Sequence, residues 1–189
     1  MAGFDLHLMR HGAPETPGLM MGRTDCVPIA SGVAACVRRG AALDMAAVAS
    51  SDLMRAERPA RAIVAERGLT LTIDARWREL DFGEWDGLAP RAIDSAALGR
   101  FWTDPDEHAP PGGERWSSLL ARVGTAIEEL AAVPTLVVTH GGAMRAAIAH
   151  LCGLSVGQTW ALDLPYCALL SLRVWEGERR TAQIVALTP

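Results

Sequence analysis

Two histidines in the chain each stand between a short apolar run and a glycine, His11 beside Arg10 and His140 before Gly141. An imidazole nitrogen can attack phosphorus and form a covalent intermediate, which divides one difficult step into two easier ones. The second histidine can hydrogen-bond an oxygen of the same phosphoryl group, and the amide of Gly141 adds a donor at the start of a helix. A single histidine of this kind is usually structural, but two in the same context are hard to explain by packing. They predict a phosphoryl-transfer site with His11 as the nucleophile.

Arginines supply the cationic groups that such a site needs. Arg55 stands near the start of a predicted helix, because Pro59 is tolerated only near the first turn and places that start close to Ala56. A helix N-terminus favours an anion, and the guanidinium group offers a fork of donors that suits phosphate. Arg23 is a further candidate contact with phosphate. Taken alone, Arg55 would be interpreted as a solvated arginine on a basic helix.

Carboxylic acids are the third requirement, since a leaving alkoxide needs a proton and a carboxyl group of raised pKa can deliver it. Residues 79–87 hold the candidates. Glu79 is preferred, and Asp81, Glu84 and Asp86 are rivals that the sequence does not exclude. The alternative is a solvated acidic loop anchored by aromatic residues.

Composition limits the class of protein to which these residues belong. The chain has 189 residues, a formal net charge of −4 and an apolar content of 50%, which is typical of one compact domain over residues 1–189. The negative balance argues against a nucleic-acid partner, and no apolar stretch has the length of a membrane span. The four cysteines are scattered and lie at no metal-ligand spacing. A reduced, cytoplasmic protein without a metal site or a cofactor is therefore expected.

Alternating strands and helices must position the site. The hydrophobic pattern predicts strands over residues 4–9, 46–50, 70–73, 135–139, 168–175 and 181–187. Helices are predicted over residues 31–43, 56–67, 90–102, 114–132 and 143–151. Ser31 is the predicted N-cap of the first helix. This alternation implies a three-layer α/β/α fold with a mostly parallel central sheet. Ligands bind beyond the carboxyl ends of such strands, where His11, Arg55 and His140 should meet.

The chain resembles the histidine phosphatase superfamily, which has the phosphoglycerate mutase-like fold. Six motifs carry the resemblance in family order, at residues 8–12, 22–25, 50–56, 79–87, 111–114 and 138–142. The resemblance implies that His11 becomes phosphorylated and that Arg10, Arg55 and His140 bind the transferring phosphoryl group. It implies that Glu79 donates the proton and later acts as the base for water. It implies no metal and no cofactor, and a small phosphomonoester is the expected partner.

Hydrolysis is favoured over mutase-type transfer within this family. Mutases that resemble the chain carry longer insertions that retain the intermediate, and the stretch between Glu79 and His140 leaves little room for such a lid. An open pocket lets water reach the phosphohistidine. Residues 82–87 and 111–114 look like those of alpha-ribazole phosphatases, which suggests alpha-ribazole 5′-phosphate as the substrate, with another sugar phosphate or a nucleotide as the alternative.

Two other functions stay open on the sequence alone: phosphoglycerate mutase-type transfer, and a non-catalytic module that binds phosphate or a phosphoprotein. The module would need neither a nucleophile nor a proton donor.

Pro59 replaces a threonine and Arg115 replaces a serine that are common in the family. These two positions are expected at the rim of the pocket, so the differences affect the identity of the substrate rather than the reaction. The oligomeric state is open, with a dimer among the alternatives. Stacking on a ring-bearing substrate and packing in the core are both open for four tryptophans: Trp77, Trp85, Trp102 and Trp116.

Overall fold

The computed structural model describes residues 3–189, and within them strands and helices alternate over most of the chain. The strands are β1 (Gly3–Arg10), β2 (Ala47–Ser50), β3 (Leu71–Ile73), β4 (Thr135–Thr139), β5 (Leu169–Trp175) and β6 (Thr181–Thr188). The helices are α1 (Ala30–Ala41), α2 (Met54–Arg67), α3 (Ser95–Thr103), α4 (Trp116–Glu128), α5 (Gly141–Cys152) and α6 (Val156–Thr159). Single turns of 3-10 helix lie at Ala75–Trp77, Gly83–Trp85 and Pro90–Ala92. None of these helices has the length and apolar character needed to cross a bilayer.

The six strands form one sheet in the order β3-β2-β4-β1-β5-β6. Neighbours from β3 to β1 are parallel, whereas β5 runs antiparallel to both β1 and β6. This arrangement confirms the predicted three-layer fold with a mostly parallel central sheet. Arg10 pairs with Thr139, and Ser50 pairs with Val138. The carboxyl ends of β1, β2 and β4 therefore lie side by side at one edge.

The central strand β4 shows how the helices cover both faces of the sheet. All of its residues are buried, and successive side chains point to opposite faces. Val137 packs in the cluster beneath α4 and α5, together with Leu119 and Ile148. Leu136 and Val138 pack in the cluster beneath α1 and α2. Burial on both faces explains the unbroken apolar run by which this strand is predicted.

The start of α2 differs from the prediction. Pro59 indicated a start close to Ala56, but the helix begins at Met54. The reason is a cap from a distant loop, because the carboxylate oxygens of Asp25 accept the N–H of Met54 at 2.9 and 3.1 Å. A free amide at a helix start is thereby satisfied. Arg55 consequently lies within the first turn, with its side chain fully buried.

Other helix boundaries also differ. Ser31 is not the cap of α1, which begins one residue earlier without a side-chain cap. The helix predicted over residues 90–102 is divided, because Asp94 accepts the N–H of Ala97 at 2.8 Å and starts α3 there. The helix predicted over residues 114–132 is shorter at both ends, as α4. These differences leave the order of elements unchanged.

Candidate active site

Four of the predicted side chains form one cluster beyond the carboxyl ends of β1, β2 and β4. The rings of His11 and His140 meet at an interplanar angle of 61°, with centroids 5.1 Å apart. Arg55 contacts His140 through its Nε. Arg10 lies with its Cζ 4.4 Å from the ring centroid of Tyr166, whose centroid is 5.5 Å from that of His11. Two imidazoles and two guanidinium groups thus share one end of the fold.

Hydrogen bonding determines the tautomer of His11. Its Nδ1 lies 2.8 Å from the carbonyl oxygen of Gly12, which can only accept, so Nδ1 carries the proton. Burial, followed by the charges of Arg55 and Arg10, lowers the pKa of His11 to about 3. The ring is therefore neutral at physiological pH, and its Nε2 carries a free lone pair. That is the form an imidazole nucleophile requires.

The loop that carries His11 depends on two glycines in contact. A Cβ on Gly12 would lie 2.3 Å from the carbonyl oxygen of Gly32, in the first turn of α1. The backbone amide of His11 donates to Thr139 at 2.9 Å, and its carbonyl accepts from Cys167 at 3.1 Å. The main chain around the candidate nucleophile is therefore fixed on three sides.

His140 has the opposite tautomer. Its Nδ1 accepts a hydrogen bond from Arg55 Nε at 3.2 Å, so its proton lies on Nε2. Burial and the charge of Arg55 hold the pKa of His140 well below its ordinary value. The Nε2 atom is buried and has no hydrogen-bond partner among residues 3–189. A buried donor without a partner is unfavourable, and an acceptor bound between His140 and His11 would satisfy this N–H.

Arg55 forms hydrogen bonds with a loop as well as with His140. Its Nη1 donates to the carbonyl of Thr24 at 2.9 Å, and its Nη2 donates to those of Met21 and Gly22 at 2.9 and 2.7 Å. With the bond to His140, four of the five guanidinium N–H groups are engaged. The sequence predicts Arg55 as a phosphate ligand, and Arg55 does line the cavity, but most of its donors bind the chain itself.

Arg10 keeps a donor free. Its Nη1 donates to the carbonyl of Leu164 at 2.6 Å, which fixes the side chain in place. Its Nε is buried and has no partner within residues 3–189. Gly141 lies close by, since a Cβ there would be 3.7 Å from the guanidinium group. Arg10 and Gly141 both line a cavity of about 240 Å³ that also borders His11.

Glu79 lines the same cavity. Its Oε2 accepts the N–H of Gly142 at 3.0 Å, in the first turn of α5, and its Oε1 accepts the N–H of Leu80 at 2.9 Å. A Cβ on Gly142 would lie only 2.1 Å from Oε1. The second glycine after His140 is therefore the residue that admits this carboxylate.

The rival carboxylates are placed elsewhere. Asp86 accepts three backbone N–H groups, from residues 22 to 24, at 2.8 to 3.0 Å. Asp81 accepts the N–H of Gly83 and pairs with Arg23 at 3.5 Å. Glu84 is exposed, and none of these three carboxylates lines the cavity. Arg23 does not line it either, since its guanidinium faces acidic partners, so the geometry does not support the predicted phosphate contact.

Arg122 is a supporting residue that the sequence motifs do not reveal. It donates to the carbonyls of Arg76, Arg78 and Glu79 at 2.7 to 2.8 Å. Its other two N–H groups bind the carboxylate of Glu114 at 2.7 and 2.8 Å. All five donors are thus used. Burial opposes ionisation of Glu114, yet the bonds from Arg122 keep the pKa of that carboxyl below its usual range.

Six aromatic side chains other than His11 line the cavity. Of the four tryptophans singled out in the sequence, Trp102 and Trp116 line it, whereas Trp77 and Trp85 pack in the core. The full aromatic lining is Phe82, Phe101, Trp102, Trp116, Trp160 and Tyr166. Trp160 and Tyr166 belong to no recognised motif. Both residues follow α5 in the chain, and this position alone does not predict that they line the cavity.

Relatives of known sequence or structure share this arrangement of elements. The glucosyl-3-phosphoglycerate phosphatase of Mycobacterium tuberculosis is 34% identical over 129 residues, covering 61% of this chain and 58% of that protein. The structure of a mycobacterial glucosyl-3-phosphoglycerate phosphatase with VO3 has a TM-score of 0.87 at 26% identity, covering 97% of this chain and 98% of that one. The alpha-ribazole phosphatase of Shigella flexneri has the same fold, with a TM-score of 0.80 at 24% identity and coverage of 96% and 95%.

The sequence matches differ in extent. The chain spans somewhat more than half the length of the first curated relatives that it matches, 54% and 58% of their residues. A sequence profile of the histidine phosphatase superfamily (branch 1), in contrast, matches residues 6–186. That match runs from β1 to β6 and includes both histidines, so the chain belongs to branch 1 of the histidine phosphatase superfamily.

Proposed function

We propose that the protein hydrolyses small phosphomonoesters through a phosphorylated histidine. The observation that carries the proposal is the state of His11, a neutral ring whose Nδ1 is tied to the carbonyl of Gly12. Its Nε2 lone pair is then free to act as the nucleophile. Two unpartnered donors, Arg10 Nε and His140 Nε2, lie in the same cluster. A phosphoryl group next to His11 would satisfy both of them.

In the first step, His11 Nε2 attacks phosphorus, so that a P–N bond forms while the P–O bond to the alcohol breaks. Glu79, as the carboxylic acid, gives its proton to the leaving oxygen. Charge on the three equatorial oxygens is met by Arg10, the N–H of His140 and the amide of Gly141. Arg55 orients His140 and contributes its positive charge from behind.

In the second step, the Glu79 carboxylate takes a proton from water, and the water oxygen attacks phosphorus. The P–N bond breaks, inorganic phosphate leaves, and His11 regains its neutral state. Guanidinium and imidazole donors hold the place that a metal ion occupies in many phosphoryl-transfer enzymes. We therefore propose that the activity needs no metal.

The names of the relatives indicate the class of substrate. Glucosyl-3-phosphoglycerate and alpha-ribazole 5′-phosphate are both phosphomonoesters of small metabolites. We propose this class for the present chain, and alpha-ribazole 5′-phosphate as a specific candidate. A panel that includes both compounds will rank them by kcat/KM.

The proposal is tested with p-nitrophenyl phosphate in the presence of EDTA. We expect hydrolysis by the wild type and by His108→Ala, which alters an exposed loop residue, and none by His11→Ala. Alkaline denaturation during turnover should trap labelled phosphate on the wild type and on His108→Ala, and none on His11→Ala. Activity that survives His11→Ala, or that needs an added divalent cation, would refute the mechanism. Isomerisation of 3-phosphoglycerate with 2,3-bisphosphoglycerate, without phosphate release, would replace hydrolysis by mutase-type transfer.

A further inference from the structure

Arg145 is a cationic side chain in the cavity that the proposed hydrolysis does not use. It lines the same cavity as Arg10, His11 and Glu79. Arg145 lies on α5 four residues after Gly141, so it is one helical turn further from the start of that helix and on the same face. The phosphoryl group is proposed to bind at the start of α5. Arg145 is therefore a neighbour of the reacting group.

Two backbone carbonyls and one indole ring hold the guanidinium group of Arg145. Its Nη1 donates to the carbonyl of Thr159, and its Nη2 donates to that of Leu162 at 3.0 Å. Its Cζ lies 4.8 Å from the ring centroid of Trp160, within the range of a cation–π contact. Two of its five N–H groups are thus used, and the other three have no partner among residues 3–189. The group is fixed in place with most of its donors unused.

The charge of Arg145 is not neutralised by a carboxylate. Arg145 takes part in none of the ion pairs formed within the described part of the chain. Burial lowers the pKa of Arg145, the charge of Glu79 opposes this shift, the charge of Arg10 adds to it, and the charge of Asp163 opposes it. The guanidinium group therefore lies within electrostatic range of two other cavity residues, Glu79 and Arg10, whereas Asp163 is exposed and does not line the cavity. A partly buried cation without a paired anion is unfavourable, so an anionic group on the ligand would stabilise it.

The charges in the cavity leave one positive charge unbalanced when a phosphomonoester is bound. Among residues 3–189, the cations that line the cavity are Arg10, Arg55 and Arg145, and the carboxylate is Glu79. His11 is neutral. In the first step of the proposed mechanism Glu79 carries a proton, so three positive charges face a phosphoryl group with close to two negative charges at neutral pH. One further negative charge on the ligand would balance them.

A carboxylate meets this requirement in charge and in shape. It carries one negative charge, and its two oxygens accept parallel N–H bonds from a guanidinium fork. The cavity volume of about 240 Å³ is below the range of about 300–1,000 Å³ that is common for drug-sized ligands, which favours a compact acid. On the basis of the phosphatase function proposed above, we propose that Arg145 binds a carboxylate of the substrate, which is a small phosphorylated carboxylic acid. Alpha-ribazole 5′-phosphate carries no carboxylate and should therefore rank below such acids in the substrate panel.

Two substrates that differ at a single carbon test the assignment. 3-Phosphoglycerate has a carboxylate where glycerol 3-phosphate has a hydroxymethyl group, and both esters release phosphate from a primary alcohol. We expect the kcat/KM of the wild type for 3-phosphoglycerate to be at least about tenfold higher, as one charge-assisted interaction allows. Arg145→Gln removes the charge and keeps a donor for the neighbouring turn. It should reduce the preference to about threefold or less, and this ratio is insensitive to a loss of folded protein.

Arg58→Gln is the matched control, because Arg58 is exposed on α2 and does not line the cavity. It removes the same charge from the protein and should leave the preference unchanged. A wild type without the preference, or an Arg145→Gln protein that keeps it, would overturn the carboxylate assignment and leave the phosphatase function intact. Turnover of propane-1,3-diyl bisphosphate more than about tenfold faster than that of 3-phosphoglycerate would replace the carboxylate by a second phosphoryl group.

Analogues that cannot be hydrolysed test the site separately from catalysis. In 4-phosphonobutyrate a methylene group takes the place of the ester oxygen, and 4-hydroxybutylphosphonate is the matched compound without the carboxylate. Calorimetry should give the wild type a Kd at least about tenfold lower for 4-phosphonobutyrate, and Arg145→Gln should bind the two compounds about equally. That result without turnover of any phosphomonoester would overturn the phosphatase function and leave the carboxylate site in place. Equal Kd values for the wild type would overturn the carboxylate site.

Discussion

His11 and His140 face each other at 5.1 Å with opposite tautomers. The carbonyl of Gly12 fixes the proton of His11 on Nδ1, and Arg55 fixes the proton of His140 on Nε2. One ring is therefore a lone-pair donor and the other a hydrogen-bond donor. Two residues of the same type obtain different chemistry from their neighbours.

Nitrogen NMR of the imidazole rings can verify this difference directly. At pH 5.5 we expect both rings to be neutral, with the Nδ1–H form for His11 and the Nε2–H form for His140. The reason is that burial and nearby arginines lower the pKa of His11 to about 3 and the pKa of His140 well below its ordinary value. Arg55→Met should abolish the tautomer preference of His140. Two charged rings at pH 5.5 in the wild type would contradict the assignment.

Acid should destabilise the protein through the same rings. Below about pH 6.5 the unfolded chain protonates both histidines, whereas the folded protein keeps them neutral. Each ring then lowers the free energy of unfolding by ~1.4 kcal/mol per pH unit as the pH falls toward the folded pKa. Urea unfolding at pH 6.5 and pH 5 measures this slope. His140→Gln should have a shallower slope than the wild type, and an unchanged slope would be evidence that His140 is charged in the folded state.

Gly142→Ala should impair catalysis through Glu79. The new Cβ would meet Oε1 at 2.1 Å, so the carboxylate must move. We expect kcat for an alkyl phosphate to fall about 100-fold, within the range for loss of a general acid. The kcat/KM for p-nitrophenyl phosphate, which reports only the steps up to phosphorylation of His11, should be affected much less, because this leaving group needs little protonation.

Gly157→Ala is the matched control for that experiment. The nearest atom to its Cβ would be 4.0 Å away, which is ordinary contact, and Gly157 does not line the cavity. Its kcat on the alkyl phosphate should stay within about threefold of the wild type. Equal losses in the two variants would show that the effect of Gly142→Ala is not specific to Glu79.

Arg122→Met should be strongly destabilising. The change leaves Glu114 without its main partner and frees three carbonyls, one within the 3-10 turn at Ala75–Trp77 and two directly after it. Breaking a buried pair in this way costs about 3–5 kcal/mol. Arg61→Met is the comparison, since the Arg61 side chain is 63% exposed in its pair with Glu57, and it should change stability by no more than about 0.5 kcal/mol. Similar urea midpoints for the two variants would contradict the supporting role of Arg122.

Two glycine substitutions should have opposite effects on thermal stability. Gly12→Ala places a Cβ 2.3 Å from backbone atoms of Gly32, so α1 must move and Tm should fall by several degrees. Gly99→Ala meets nothing within 4 Å inside α3, and it should gain about 0.5–1 kcal/mol from helix propensity. Scanning calorimetry measures the Tm of both variants. A Gly12→Ala protein with the Tm of the wild type would show that the loop has more room than the structure indicates.

The sequence predicts the sheet because its apolar runs are local. Thr135–Thr139 is buried on both faces, and its composition alone indicates a strand. Chain order and the handedness of the connections then bring the ends of β1, β2 and β4 to one edge. The grouping of His11 with His140 follows from this topology and needs no long-range information.

The remaining features depend on contacts between distant parts of the chain. The start of α2 depends on Asp25, which lies 29 positions before Met54. Arg122 sits among apolar residues of α4, and its partners at Arg76 to Glu79 come together only in the folded chain. No local pattern records such pairs, so helix starts and supporting residues are the points at which the sequence-based predictions were wrong or silent.

The short segment near Gly22 is held before any ligand arrives. Arg55 donates hydrogen bonds to backbone carbonyls of this segment, and the carboxylate of Asp86 accepts hydrogen bonds from its backbone amides. Substrate binding therefore does not have to wait for this segment to close. The association rate constant should fall in proportion to solvent viscosity, as expected when diffusion into a preformed opening limits binding.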